Sequence, residues 1–156
     1  ENPSSKSGDG CCRCYRRSLC RYQGVVLDRA AQGNEPMIDK KFAQEFVQEW
    51  VIAWNAHDLD VILSHCSDDF EMTSSFISSV AGGTGDALTC KAAVAEYLEV
   101  ALEKFPDLKF EFADVLVSQQ SLIIYYRSVM NKMAAETMMF GADGQVFKSI
   151  AHYDEI

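Results

Sequence analysis

"YYRSVMNKMAAETMMFGADGQVFKSIAHYDE" (residues 125–155) reads as three short apolar strands interrupted by "NK" at 131–132 and "ADG" at 142–144. Turns this short between alternating apolar runs predict antiparallel hairpins. If Asn131-Lys132 is a two-residue turn, Arg127 stands opposite Glu136 and Tyr125 opposite Met138. If Asp143-Gly144 is the next turn, Phe140 faces Phe147, Met138 faces Ser149 and Glu136 faces Ala151, with Tyr153 continuing the column. Together these registers predict one mostly apolar face in which Arg127 and Glu136 are neighbours. Opposed arginine and glutamate side chains can form a bidentate pair. Desolvating both costs several kcal/mol per ion unless the geometry is good, so the pair is expected on a cavity wall and not in sealed core. The competing reading is an exposed salt bridge worth ~0–1 kcal/mol. The opposite face, with Thr137, Met139, Lys148, Ile150, His152 and Asp154, is mixed and suits partial burial in a dimer.

Two further strands precede this stretch, "LKFEFADVLVS" (108–118) and "SLIIYYRSVM" (121–130). Before them the period changes from two to that of a helix. "IDKKFAQEFVQEWVIAWNAHD" (38–58) has Asp39 as N-cap and Phe42, Phe46, Trp50 and Trp54 on one face. A shorter helix follows in "HDLDVILSHCSDDF" (57–70), capped by Asp58. "DFEMTSSF" (69–76) alternates as a strand, and "SSVAGGTGDALT" (78–89) reads as a loop. "TCKAAVAEYLEVALEKF" (89–105) is a third helix with Thr89 as cap, Tyr97 on its inner face and Pro106 ending it. The expected fold is α+β, with three helices on one face of a curved antiparallel sheet.

The chain has 156 residues, enough for one domain with a sizeable core. Its net charge of −9 is uneven: residues 1–36 hold six basic residues against four acidic, and the remainder eight against nineteen. An acidic body lacks the clustered Lys and Arg that nucleic acid or an anionic membrane face requires. No apolar run is long enough to span a bilayer and no secretory signal is visible, which gives a cytoplasmic expectation. Cys11, Cys12, Cys14 and Cys20 crowd the first twenty residues in a spacing that matches no zinc site. No metal or cofactor is therefore expected. The helical period begins immediately after Met37, so residues 1–36 are expected to be a flexible, basic, Cys-rich extension, not necessarily native coding, and 37–156 the folded domain.

The order of elements, with "AWNAHDLDVILSHCSDDFEM", "TCKAAVAEYLEVAL" and "GADGQVFKSIAHYDE", resembles the nuclear transport factor 2-like superfamily, and within it the SnoaL-type domains, over about residues 38–155. The resemblance implies a sheet curled into a cone closed by helices, in a homodimer packed through the convex sheet face. It implies a cavity lined by Trp50, Trp54, Met72, Ser74, Tyr97, Tyr125, Arg127, Glu136 and Met138, with Phe140 added from the strand pattern. Members include isomerases, cyclases, dehydratases and hydrolases as well as binding modules. In ketosteroid isomerases a base stands at the place of Ser74, a tyrosine donor at Trp50 and a neutral carboxylic acid at Glu136, and only the last is matched in kind. In limonene epoxide hydrolases an arginine is flanked by two aspartates. Arg127 and Glu136 supply two of those three groups, and Val129 replaces the third.

The expected function is binding of a small apolar ligand carrying a polar or acidic group. Aromatic and Met walls hold its body, Arg127 pairs with the polar group, and Glu136 and Tyr125 orient it. The alternatives are an isomerase, cyclase or hydrolase with Glu136 as acid/base and Arg127 or Tyr125 stabilising negative charge, and a dimerising interaction domain without chemistry.

Overall fold

The computed structural model describes residues 37–82 and 85–154. The expectation for the N-terminal extension lies outside them. Helix α1, Lys40–Ala56, begins where the side chain of Asp39 accepts the Phe42 backbone N–H at 2.8 Å. Helix α2, Leu59–Ser64, is capped in the same way by Asp58 onto the Val61 N–H at 3.1 Å. Both caps satisfy amides that the first helical turn leaves unpaired. Strand β1, Cys66–Thr73, begins earlier than its alternation suggests. A six-residue helix α3, Phe76–Ala81, spans the end of the segment expected as a strand and the start of the expected loop, and that loop also contains a three-residue strand β2, Ala87–Thr89. Thr89 therefore belongs to β2, and Cys90, at φ 73°, takes the cap position of α4, Lys91–Lys104. Strands β3 (Glu111–Val117), β4 (Ser121–Arg127), β5 (Met133–Phe140) and β6 (Val146–Tyr153) follow.

The six strands form one sheet in the order β2-β1-β6-β5-β4-β3. Every neighbouring pair is antiparallel except β1 with β6, which is parallel. Register shifts between Phe112 and Asp114 in β3 and between Met139 and Phe140 in β5 bend the sheet, as bulges do. The inner face of the curved sheet packs against the helices. Phe46, Trp50 and Trp54 of α1 and Val94, Tyr97 and Leu98 of α4 are buried against Leu122, Ile124 and Tyr126 of β4 and Met138 of β5. An aromatic group of Trp50, Trp54, Phe110 and Tyr126, with ring centroids 4.5–5.8 Å apart, ties α1 to the sheet. Asn55 strengthens the tie by receiving the Phe110 N–H at 2.7 Å and donating to the Phe110 carbonyl at 3.0 Å.

The β4–β5 register differs from the one expected. Five residues, Ser128–Lys132, connect the strands, with a 3-10 turn at Val129–Asn131 in which Met130 and Asn131 both have positive φ. Ile124 consequently stands opposite Glu136, and Arg127 opposite Met133. The displacement is an odd number of residues, and because side chains alternate with period two it turns β4 over relative to the expected face. Leu122, Ile124 and Tyr126 point inward, whereas Ile123, Tyr125 and Arg127 point outward. The β5–β6 register agrees with expectation at Glu136–Ala151 and Met138–Ser149. At the turn, Gly144 adopts φ 79°, and a bulge at Phe147 in β6 pairs Phe140 with Val146, leaving Phe147 exposed.

Candidate functional site

A cavity of about 90 Å³ lies between the helices and the inner sheet face. A water molecule needs about 10–15 Å³ of such space, so the cavity has room for several waters or a small molecule. Seven expected wall residues line it: Trp50, Trp54, Met72, Ser74, Tyr97, Glu136 and Met138. Phe140 does not. It is buried core beneath Phe42 and Phe46, with centroids 5.5 and 5.1 Å away.

Glu136 is on the wall, but without its expected partner. Arg127 lies on the outer face, where Nε is 3.6 Å from Glu111 Oε2 and Nη1 donates to Asn131 Oδ1 at 3.1 Å. This is an exposed contact of the weak kind. Tyr125, 44% exposed, is also outside. The β4 turnover that removes these two brings in Tyr126, which the expected face had omitted. The Tyr126 hydroxyl donates to Glu136 Oε2 at 3.0 Å, and Ser149 from β6 hydrogen-bonds to the same carboxyl group.

Glu136 is 8% exposed and is the one carboxyl group among the described cavity-lining residues. Burial raises its pKa above the ordinary carboxylate value, while the Tyr126 and Ser149 hydrogen bonds act in the opposite direction. Burial and the nearby Glu136 also raise the Tyr126 phenol. Burial raises the Tyr153 phenol to about 12. The Tyr153 hydroxyl lies 3.4 Å from Ser74 Oγ, so both are polar marks on the β1–β6 side of the wall.

Two buried nitrogens on the lining residues have no hydrogen-bond partner: Trp54 Nε1 and His65 Nε2. His65 Nε2 is 3.9 Å from Glu49, beyond hydrogen-bonding range, and burial lowers its pKa. Its ring packs edge-on to Phe46 at 5.1 Å. Trp54 lies at the opposite end of α1, 4.9 Å from Phe110. A buried indole N–H without an acceptor is uncommon. No group of three or more His, Cys, Asp or Glu side chains suited to a metal occurs among the described residues, and no described helix is long and apolar enough to cross a membrane.

Comparison with known proteins bears on this arrangement. Residues 47–154 match the SnoaL-like domain. A SnoaL-like protein of unknown function from Burkholderia thailandensis is 46% identical, with a TM-score of 0.69 over 74% of this chain and 98% of that one. A protein of cystatin-like fold from Methylobium petroleophilum, 16% identical, aligns with a TM-score of 0.62 over 78% of this chain and 81% of the other. TerC, co-crystallised with polyporic acid, is 12% identical and aligns with a TM-score of 0.60 over 72% of this chain and 91% of its own. None of the curated proteins matches the chain. The two distant neighbours share the fold, a cystatin-like α+β cone. From the domain match and the Burkholderia relative, the chain belongs to the SnoaL-like domain family within the nuclear transport factor 2-like superfamily.

Proposed function

We propose that this protein binds a small, largely apolar molecule in the cone, with Glu136 and Trp54 Nε1–H making the polar contacts. The supporting observation is the pairing of one desolvated carboxyl group with an otherwise aliphatic and aromatic wall. Few convergent polar groups in an apolar concavity are the usual chemistry of a small-molecule site. With Arg127 outside, the ligand atom at the wall is a neutral acceptor or hydroxyl and not an anion. A neutral Glu136 would donate to a carbonyl, and an ionised one would accept from a hydroxyl.

Acetophenone tests this reading against its carbon isostere α-methylstyrene, which keeps the shape and loses the acceptor. Titration calorimetry, with Trp50 and Trp54 fluorescence as a second readout, is expected to show acetophenone binding about tenfold more tightly, as one buried hydrogen bond implies. Equal affinities would remove the polar role, and no binding by either would remove the site.

A second reading, acid–base catalysis by Glu136, is favoured by the raised pKa of that carboxyl group. Deuterium exchange into the methyl group of bound acetophenone, followed by NMR, separates the readings. Exchange that Glu136→Gln abolishes would make the site catalytic. Exchange at the solvent rate would leave it a binding site.

The outer face of the sheet is proposed as the surface of a homodimer. Leu116, Ile123 and Tyr125 are 62%, 36% and 44% exposed, and Thr137, Met139 and Ile150 continue the same face. A contiguous apolar sheet face of this kind marks an interaction surface. Leu116→Lys is expected to weaken self-association at least tenfold in light scattering after gel filtration. A wild-type protein that is monomeric at high micromolar concentration would end this proposal.

A further inference from the structure

The inner cavity adjoins a second, more open depression. Phe105, Leu108, Ser128 and Val129 line both, so the turn after α4 and the β4–β5 connection form a neck between them. The outer chamber has a volume of about 330 Å³ and opens more widely to solvent than the inner one. Its character is also different. Lys104 and Lys109 are on its wall with Asp107 as the one acid, in a chain whose net charge is −9. Lys104 uses one donor on the Ser79 carbonyl at 3.0 Å and keeps two, while Lys109 has no ion pair or hydrogen bond among the described residues. The unpartnered Trp54 Nε1–H belongs to the same end of the molecule. The end of α1 that carries it is fastened to the neck segment by His57 Nε2, 3.1 Å from the Leu108 carbonyl, and by the Asn55–Phe110 pair.

We propose that the ligand is an elongated apolar acid: its body fills the inner cone, a polar atom passes Trp54 at the neck, and its carboxylate emerges in the outer chamber against Lys104 and Lys109. This rests on the ligand-binding reading above and deepens it by naming the substrate class. The placement has a physical reason. A carboxylate inside the cone would face Glu136 without a cation and pay for desolvation, whereas in the outer chamber it keeps water on one side and two ammonium groups on the other. The acidic surface elsewhere repels such a molecule, which makes the lysine-lined mouth the favourable approach.

The test uses 4-phenylbutyrate and its neutral amide, 4-phenylbutyramide, titrated by calorimetry into the full chain at low and high salt. The acid is expected to bind about fivefold more tightly than the amide at low ionic strength, a preference that shrinks with salt because the lysines are exposed. In the double variant Lys104→Gln, Lys109→Glu the ratio of the two affinities is expected to fall to one or below. Surface substitutions of this kind leave folding intact, and circular dichroism verifies it. Both probes binding equally to the wild-type protein, or a ratio that the double variant leaves unchanged, overturns the assignment of the outer chamber while the cone remains a binding site. Neither probe binding overturns both.

Discussion

Replacing Trp50 by alanine is expected to cost about 3–5 kcal/mol of folding stability, the range for large aromatic residues removed from a packed core. Trp50 is 3% exposed, and its ring meets Trp54, Phe110 and Tyr126 at 5.8, 5.3 and 5.3 Å. It therefore joins α1, the segment leading into β3, and β4. Aromatic contacts of this kind add about 0.5–1.5 kcal/mol each beyond burial. A domain of ordinary stability has about 5–15 kcal/mol in total, so the variant loses a large fraction of it. Urea unfolding reads the loss as a lower midpoint at an unchanged slope. Trp50→Phe, which keeps a ring against Phe110, is expected to lose less than half as much. A loss below about 1.5 kcal/mol for the alanine variant would contradict a Trp50 ring packed between helix and sheet.

The helical half of this arrangement was legible because its signals are local. Asp39 and Asp58 precede apolar stripes of helical period, and both cap the helices expected of them. The pocket-facing residues of α1 and α4 follow from the same stripes, which is why Trp50, Trp54 and Tyr97 are on the wall. Asp143 and Gly144 are turn formers whose chemistry is equally local, and the Glu136–Ala151 and Met138–Ser149 pairs follow from them. Glu136 and its Ser149 neighbour were thus readable without coordinates.

The other partner of Glu136 was not readable, and the reason is specific. β4 carries apolar side chains on both faces: Leu122, Ile124 and Tyr126 on one, and Ile123 and Tyr125 on the other. Periodicity cannot choose between two such faces, so the turn had to decide. Asn131 does adopt positive φ, as its residue type allows, but so does Met130, where the side chain gives no warning. The result is a five-residue connection and the opposite parity. Tyr125 and Arg127 exchange places with Tyr126, and an ion pair becomes a hydroxyl–carboxyl pair. Helix α3 was hidden for a different reason: six residues with two serines in the middle do not show a helical period. The neck between the chambers was missed because it joins two connections distant in sequence, and neither has a motif of its own.

The exchange changes the sign of the electrostatics at Glu136, and the consequence is measurable. An arginine partner would lower its pKa, whereas the burial observed raises it above the ordinary glutamate value. Below about pH 4.5 the carboxyl group is neutral in folded and unfolded chains alike, and it imposes no charge-burial penalty. As the pH rises the unfolded chain ionises first, because the folded state still resists. Stability is therefore lost between the unfolded pKa and the raised folded one, and levels off above it. Glu136→Gln removes the titration and keeps an acceptor for the Tyr126 hydroxyl and a polar group for Ser149. The variant is expected to match the wild-type protein near pH 4 and to exceed it at pH 8 by on the order of 1–3 kcal/mol, the scale of a buried polar group left poorly solvated. Glu136→Ala, which leaves the Tyr126 hydroxyl without its acceptor, is expected to be less stable than Glu136→Gln at every pH. Urea unfolding at pH 4, 6 and 8 measures all three proteins. A Glu136→Gln variant weaker than wild type at pH 8 would mean that the carboxylate is stabilised in the fold, and a neutral, proton-donating Glu136 could then not be the group that meets the ligand.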